Sequence, residues 1–254
     1  IFPENHGLSA GVRGVHTAHF LHTSDLIMSI GSSLSPGRFS HAIPDAAEKK
    51  IIVCDINENN VNKIYHTDHA LIGDARVTLQ ALIDELAKRT SGAGIGRDNI
   101  VSEILEERQK DELKYRDALN SSETPINPYR VYADIMKVID PQKSFVTHES
   151  GNTRDQLSTV YETQIPRGFL GWGNVSSLGF SLPAAMAAKI AYPERHSIAV
   201  TGEAGLGYML GNLEVPVREN IGITVIHISN GGFSGYGPGF WGDGHDPYTH
   251  KVLS

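Results

Sequence analysis

Two short segments decide the fold, Ser197-Ile198-Ala199-Val200-Thr201-Gly202-Glu203-Ala204-Gly205 and Ile223-Thr224-Val225-Ile226-His227-Ile228-Ser229-Asn230-Gly231-Gly232. Each is an apolar run that stops at glycines and one polar side chain, which is typical of a buried parallel strand. The residues near Leu210 to Arg218 predict a helix between the two strands. A strand–helix–strand unit brings both carboxyl ends to one edge of a sheet, so we expect Glu203 and Asn230 to be neighbours there.

The same alternation of strand and helix continues along the rest of the chain. It predicts strands over 25–31, 50–56 and 144–147, and helices over 74–86, 129–139 and 182–192. Asp74 is placed to cap the first helix, and Pro183 starts the last. The charged stretch 102–120 predicts an exposed helix. We therefore predict an α/β protein with two doubly wound parallel-sheet domains: a Rossmann-like domain over 1–89, a charged linker over 90–127 and a second domain over 128–254.

Composition narrows the class of protein. The 254 residues carry a net charge of −7, which argues against a nucleic-acid partner or an anionic membrane surface. No apolar run is long enough to span a bilayer, so no membrane partner is expected. Cys54 is the only cysteine and is expected in the core, and a cytoplasmic location follows from such cysteine usage. Because the sequence starts at Ile1 without methionine, we expect a fragment or a split subunit.

Glu203 and Asn230 have the chemistry of ligands for a hard metal ion. Carboxylate, amide and carbonyl oxygens favour Mg²⁺ or Ca²⁺, and Mg²⁺ takes few protein ligands plus phosphate oxygens. The surrounding glycines let an anion approach the backbone amides. The alternative is that these polar residues only cap helices and form turns.

The spacing resembles the motif of thiamine-diphosphate-dependent enzymes. Gly202-Glu203-Ala204, then 24 residues and Ser229-Asn230, is similar to the Gly-Asp-Gly and Asn-Asn pair of that family. The stretch 178–195 is similar to acetolactate synthase, and matches continue upstream through 2–7, 24–31, 55–57 and 73–75. The resemblance implies that the first domain is the family's middle domain, without its start, and that the second is a thiamine diphosphate-binding fold, without its end.

The resemblance also implies a set of site residues. The metal would be held by Glu203, Asn230 and the carbonyl of Gly232. Leu178 would lie under the cofactor and force its V shape, and the Ser176 carbonyl would accept the aminopyrimidine hydrogen bond. The remaining residues implied to contact the cofactor follow the strands: Glu149, Gly151, Asn152, Gly202, Ala204 and Gly205.

The implied function is an acetolactate synthase-like carboligase or decarboxylase acting on a 2-oxo acid such as pyruvate. A pyrimidine-binding domain, from missing sequence or another chain, would supply the activating glutamate, and a homodimer or homotetramer is implied. An alternative is a non-catalytic homologue that serves as a structural or regulatory subunit. Some family members hold FAD or ADP in the middle domain, so a nucleotide there is a third hypothesis.

Several features depart from the motif or imitate a site. Glu203 replaces the usual aspartate and extends the carboxylate by roughly 1.5 Å, which favours Ca²⁺ or a bridging water. Gly242-Asp243-Gly244 follows no strand and is interpreted as a turn. His16, His19 and His22 are interpreted as an exposed or partly packed helix side because no acidic partner is evident.

Asp55 follows a strand, but Gly31 to Gly37 lacks the dinucleotide glycine pattern. Other residues were also considered near the substrate, with packing or surface positions as alternatives: Phe233, Tyr236, Phe240, Trp241, His245 and His250.

Overall fold

The computed structural model describes residues 2–36, 42–90, 99–171 and 176–229. The chain forms two compact units, one of Ala10–Asp111 and one of Ile1–Ser9 with Glu112–Ser254. Each unit contains a parallel sheet with helices, which confirms the predicted α/β class. The domain boundaries at residues 89 and 128 stay predictions. In the ranges described, no helix combines the length and the apolar character required to cross a bilayer.

The unit Ala10–Asp111 is built on three parallel strands. Its elements, in chain order, are α1 (Val15–Thr23), β1 (Leu26–Ile30), β2 (Lys50–Asp55), β3 (His69–Ile72), α2 (Ala75–Arg89) and the first part of α3 (Ile100–Leu119). The strands lie in the order β1-β2-β3. The Asp74 carboxylate accepts hydrogen bonds from the amides of Arg76 and Val77, at 3.0 and 3.1 Å, so the predicted N-cap of α2 is confirmed.

The central strand β2 supplies most of this unit's core. Ile51 and Val53 pack with Ile43, and Cys54 is fully buried as a free thiol, as expected. Asp55 ends the strand, and its carboxylate accepts hydrogen bonds from the Asn57 amide and the Asn60 side chain, at 2.8 and 3.0 Å. These bonds lower the pKa of Asp55. The carboxylate therefore closes its own turn.

Helix α3 differs from the exposed helix predicted over 102–120. Ile104, Glu107 and Asp111 are buried although the helix is rich in charge. They recur at intervals of three and four residues, so they form one face of the helix. Pattern alone suggested a solvated helix because two of the three buried residues are acidic, and the partners of Asp111, Val15 and His16, lie about 95 residues away.

Within its described residues, the other unit has four parallel strands. Its elements are α4 (Pro128–Val138), β4 (Ser144–His148), α5 (Asn152–Val160), β5 (Phe169–Leu170), α6 (Ser181–Ala191), β6 (His196–Gly202), α7 (Glu203–Met209), α8 (Glu214–Arg218) and β7 (Thr224–Ile228). A turn of 3₁₀ helix at Leu210–Leu213 joins α7 to α8. The strand order is β5-β4-β6-β7, and the register aligns Gly202 with Ile228.

The strand order contains one reversal. From β4 the chain goes to β5 on one side, and it then returns to β6 on the other side. Such a reversal is a topological switch point, and ligands of open α/β sheets bind outside the carboxyl ends of the strands there. The core beneath it is continuous, with Tyr132, Val146, Leu157 and Val200 almost completely buried. Burial raises the pKa of the Tyr132 and Tyr161 hydroxyls.

Candidate functional site

The switch point between β4 and β6 brings three predicted segments together. Glu149 follows β4, and its amide donates a 2.8 Å hydrogen bond to the carbonyl of Val200 in β6. Gly202 ends β6 opposite Ile228, the last residue of β7. The predicted proximity of the β6 and β7 carboxyl ends is therefore observed. Asn230 and Gly232, which follow β7, lie outside the described residues, and the metal site they would complete stays a prediction.

Glu203 begins α7 directly after β6. Its carboxylate Oε1 accepts a 2.6 Å hydrogen bond from the hydroxyl of Ser229, and the side chain is half-buried. This contact joins the two strand ends through an oxygen ligand of the type that Mg²⁺ and Ca²⁺ prefer. Among the described residues, no group of three or more His, Cys, Asp or Glu is placed to hold a metal. The donor set therefore fits a divalent ion only together with the residues after Ser229.

The Glu149 carboxylate has a structural role that the motif did not predict. Its carboxylate is buried and accepts hydrogen bonds at the start of α6, from the amides of Gly179, Phe180 and Ser181 at 3.1, 3.3 and 3.2 Å. The Ser181 hydroxyl and the Ser150 amide also donate to it, at 2.8 and 2.9 Å. Phe180, the N-cap of α6, has no side-chain capping bond, so Glu149 caps this helix from another strand. Contact between Glu149 and a cofactor stays a prediction.

Gly205 makes room for that carboxylate. A Cβ built on Gly205 would overlap the Glu149 side chain. Glycine is therefore required in α7 by packing rather than by its own backbone angles. The predicted cofactor residues Gly202 and Ala204 border this contact, with Gly202 as the N-cap of α7 and Ala204 in its first turn.

The turn after β4 starts α5. Gly151 has φ +87°, a conformation that favours glycine, and it is the N-cap of the helix without a side-chain capping bond. Asn152 is the first helical residue. A helix N-terminus with a glycine cap exposes amides that suit an anion such as a diphosphate. This placement is compatible with the predicted role of Gly151 and Asn152 and does not test it.

Ser176 and Leu178 lie on the segment that leads into α6. Ser176 has φ +61°, and Leu178 is half-buried. The Ser150 hydroxyl donates to the Ser176 carbonyl at 3.1 Å, and the Arg154 guanidinium donates to Ser176 Oγ at 2.8 Å. The segment is therefore held at both the carbonyl and the hydroxyl of Ser176.

Sequence reasoning missed Ser150, Arg154 and Ser181. All three contact predicted site residues, yet each is an ordinary polar residue in the sequence, and the partners are 22 to 32 positions away. The only available signal was position, since Ser150 and Arg154 flank the Gly151 turn at a predicted strand end. Residues at such ends deserve inspection whatever their type.

His148 ends β4 beside this site. It is buried, its Nδ1 lies 3.1 Å from the Glu149 carbonyl, and its ring packs on Phe169 at 5.5 Å between centroids. Burial lowers the pKa of His148 below its ordinary value, and the nearby Arg154 charge acts in the same direction. The ring is therefore held in the neutral form at pH 7.

The histidines of α1 do have acidic partners, contrary to the sequence interpretation. The buried His16 ring is hydrogen-bonded through Nδ1 to the Asp111 carboxylate, and His19 Nε2 lies 3.1 Å from Glu103 Oε1. Lys110 lowers the pKa of Glu107, with smaller contributions from His19 and His16. Local pattern could not predict these contacts, because the paired residues are 95 and 84 positions apart. His22 is exposed.

A cleft of about 590 Å³ lies at the opposite end of the second sheet. It is lined by residues of α4 and by the first residues of β4, β6 and β7, including Ser144, His196 and Thr224. These residues mark the amino edge, whereas ligands of parallel sheets bind at the carboxyl edge. We therefore place the functional site at the switch point and not in this cleft.

Other sequence predictions fall outside the described residues, and nothing in the structure bears on them. They concern the Gly242-Asp243-Gly244 turn and the aromatic and histidine residues considered near the substrate, Phe233, Tyr236, Phe240, Trp241, His245 and His250.

Two family models match the chain in succession. The central domain of thiamine pyrophosphate enzymes matches residues 1–82, and their C-terminal TPP binding domain matches residues 149–237. The second match begins at the residue that caps α6 and includes both strand ends of the candidate site. The order of the two matches is the order expected from the sequence.

Curated relatives match over most of the chain. A probable acetolactate synthase large subunit of Methanococcus aeolicus is 27% identical over 89% of this chain and 40% of its own length. A probable acetolactate synthase large subunit of Methanocaldococcus jannaschii is 28% identical over 89% of this chain and 38% of its own length. A glyoxylate carboligase of Escherichia coli O157:H7 is 25% identical over 90% of this chain and 39% of its own length. The chain thus spans about two fifths of the length of these relatives.

Proposed function

We propose, from the premise that this chain belongs to the thiamine pyrophosphate enzymes, that it is part of an acetolactate synthase-like carboligase or decarboxylase of a 2-oxo acid such as pyruvate. The observation that carries the proposal is the placement of Glu203 at the switch point, hydrogen-bonded to Ser229 at the end of β7. The matched relatives include acetolactate synthases and a glyoxylate carboligase. A cytoplasmic location is part of this proposal.

Glu203, Asn230 and the carbonyl of Gly232 would hold Mg²⁺ or Ca²⁺. The Ser229 hydroxyl fixes one oxygen of Glu203, which restricts the rotation of a side chain one methylene longer than the aspartate of the motif. A fixed carboxylate at a helix N-terminus suits a cation that bridges to phosphate oxygens. Gly151, Asn152 and the amides of α5 would bind the diphosphate, with Gly202, Ala204 and Gly205 bordering it.

The cofactor's other end would lie against Ser176 and Leu178. The Ser176 carbonyl would accept a hydrogen bond from the aminopyrimidine, and Leu178 would pack beneath it. When bound, thiamine diphosphate supplies an electron sink for breaking and making carbon–carbon bonds next to a carbonyl group. The chain's own contribution is to position that group: Glu149 holds the turn that carries Leu178 by accepting bonds from Gly179 and Phe180.

The proposed site would be completed by a pyrimidine-binding domain. That domain would supply the glutamate that activates the aminopyrimidine, from sequence outside this chain or from another chain. The curated relatives are about two and a half times as long as the matched region, which is enough for such a domain. A homodimer or homotetramer, which the family resemblance implies, is part of this proposal.

A second candidate function is a non-catalytic subunit with a structural or regulatory role. It is favoured by one feature, the presence of Glu203 where the motif has aspartate, since Mg²⁺ demands near-ideal octahedral geometry. The described contacts do not favour FAD or ADP in the first unit, because the Asp55 carboxylate already accepts hydrogen bonds from its own turn. Release of an adenine compound on denaturation would nevertheless show that such a nucleotide is bound.

Calorimetry tests the proposal directly. The intact protein should bind thiamine diphosphate with Mg²⁺ or Ca²⁺ and lose most of that affinity with a chelator. Glu203→Ala removes a metal ligand and should weaken metal-dependent binding by roughly 100-fold, because loss of even an outer ligand costs 10 to 100-fold. Glu214→Ala, a change of the same type at an exposed residue of α8, is the matched control.

The outcomes separate the alternatives. Binding that does not depend on metal would contradict the site, and unchanged metal affinity in Glu203→Ala would show that another residue is the ligand. Metal-dependent binding without turnover of pyruvate or other 2-oxo acids would favour the non-catalytic subunit. Product analysis with pyruvate identifies a carboligase by a new carbon–carbon bond, and a decarboxylase by an aldehyde.

A further inference from the structure

Ser176 has a backbone conformation that its side chain does not favour. Its φ of +61° lies in the left-handed region, which few residues with a Cβ adopt because the Cβ crowds the backbone there. Such a conformation persists when surrounding contacts determine it, and it is frequent at functional sites. The contacts that hold Ser176 therefore deserve a functional explanation.

Three hydrogen bonds link Ser176 to Arg154 and Ser150. Nη1 of Arg154 donates to Ser176 Oγ at 2.8 Å, Ser176 Oγ and Ser150 Oγ are hydrogen-bonded to each other, and the Ser150 hydroxyl donates to the Ser176 carbonyl at 3.1 Å. A hydroxyl group has a single proton to donate. All three contacts are satisfied when the Ser176 hydroxyl donates to Ser150 and the Ser150 hydroxyl donates back to the carbonyl.

Arg154 and Ser150 are themselves fixed. The Arg154 guanidinium is buried, and its Nε and Nη2 atoms donate to the two carboxylate oxygens of Asp155 at 2.9 and 3.1 Å. This paired contact sets the direction of the remaining nitrogen. Ser150 is fixed through its amide, which donates to the buried Glu149 carboxylate at 2.9 Å. Because Arg154 and Ser150 are both held in place, their hydrogen bonds fix the position of Ser176.

A carbonyl oxygen has two lone pairs, and one lone pair of the Ser176 carbonyl accepts the hydrogen bond from the Ser150 hydroxyl. We propose that Ser150 and Arg154 are positioning residues that aim the second lone pair of the Ser176 carbonyl at the ligand. The site thereby selects an aminopyrimidine, whose 4-amino group donates a hydrogen bond, over an oxo-pyrimidine, whose oxygen at the same position only accepts. This inference rests on the proposed function, in which the Ser176 carbonyl receives the amino group.

The test compares two probes on the intact protein by calorimetry in Mg²⁺. One is thiamine diphosphate, and the other is oxythiamine diphosphate, in which oxygen replaces the 4-amino group. We expect the wild type to prefer thiamine diphosphate by on the order of 10-fold or more, since a buried acceptor loses its donor in the analogue. In Ser150→Ala and Arg154→Met the preference should fall to roughly 2-fold, because the carbonyl is no longer aimed.

Two further variants separate positioning from folding. Ser150→Thr keeps the hydroxyl and should keep the wild-type preference. Ser177→Ala removes a hydroxyl from an exposed neighbour in the same segment and is the matched control. A purely structural role would weaken both probes by the same factor and leave their ratio unchanged, which would overturn the proposal. If Arg154→Met fails to fold, the Ser150 variants decide the question.

The wild type itself distinguishes this inference from its premise. If it binds neither probe, the proposed function is wrong and the selection mechanism falls with it. If it binds both probes with equal affinity, the proposed function stands, whereas the role of the Ser176 carbonyl and its two positioning residues is overturned.

Discussion

Glu149 and Asp111 each cap a helix in their own unit, but they accept different numbers of hydrogen bonds. Each is a buried carboxylate that caps a helix whose own N-cap residue provides no side-chain bond: Glu149 caps α6, and Asp111 caps α1 by accepting a 2.9 Å bond from the Val15 amide. Both carboxylates fill space where a glycine, Gly205 or Gly14, lacks a Cβ. A capping acid from a distant element therefore requires a glycine on the element that it reaches.

The two caps differ in their partners. Glu149 uses both oxygens, and all of its donors are backbone amides or a serine hydroxyl, which do not titrate near neutral pH. Asp111 uses one oxygen, shared by Val15 and the His16 ring, and its Oδ1 has no hydrogen-bond partner among the described residues. The comparison indicates that the unit with the candidate site has the firmer cap.

Removal of the firmer cap should have the largest effect. Glu149→Ala leaves four amides and the Ser181 hydroxyl without their acceptor and opens a cavity, so we expect the free energy of unfolding to fall by about 4 kcal/mol. Denaturant unfolding measures this loss of stability, and hydrogen exchange of the β6 amides shows whether the loss lies in this region. Glu194→Ala, at an exposed glutamate, should change stability by less than about 0.5 kcal/mol. An equally small effect of Glu149→Ala would show that the cap contributes little.

The other cap should matter about half as much. Asp111→Ala removes one capping bond and the partner of His16, for a loss of about 2 kcal/mol. The same measurements apply, with exchange followed in β2. Asp117→Ala on the same helix, where the side chain is almost fully exposed, is the control. A loss as large as that of Glu149→Ala would remove the distinction between the two caps.

The smallest predicted effect is a pH dependence next to Glu149. The folded-state pKa of His148 lies below the unfolded value of about 6.5, so the unfolded chain binds more protons as pH falls. The stability contribution is thus complete above about pH 6.5 and is lost toward the folded pKa, at up to about 1.4 kcal/mol per pH unit. His148→Gln should reduce this slope in unfolding measured between pH 7 and 5.

His69→Gln, at an exposed position of β3, controls for the loss of one imidazole. An unchanged slope in His148→Gln would mean that other groups produce the acid sensitivity of this unit.

Local pattern was sufficient for most of the elements and for the edge where the site lies. Apolar runs ending in glycine predicted β1, β6 and β7, a β-branched run ending in Asp55 predicted β2, and the side chain of Asp74 predicted the start of α2, because strand burial and helix capping depend on neighbouring residues. Strands β3 and β5 and helices α5 and α7 were not predicted. The two strands are short and depend on pairing with β2 and β4, α5 is polar, and α7 contains two glycines.

The sequence by itself determined the α/β class, the order of the strands along the chain and the two ends that carry Glu203 and Ser229. Only the tertiary structure decided that Glu149 caps α6, that Ser150 and Arg154 hold Ser176, and that His16 meets Asp111. The reason is distance along the chain: Glu149 and Gly179 are 30 residues apart, and His16 and Asp111 are 95 apart. Periodicity and capping rules act over a few residues, whereas a buried carboxylate takes whichever donors the packed strands bring to it.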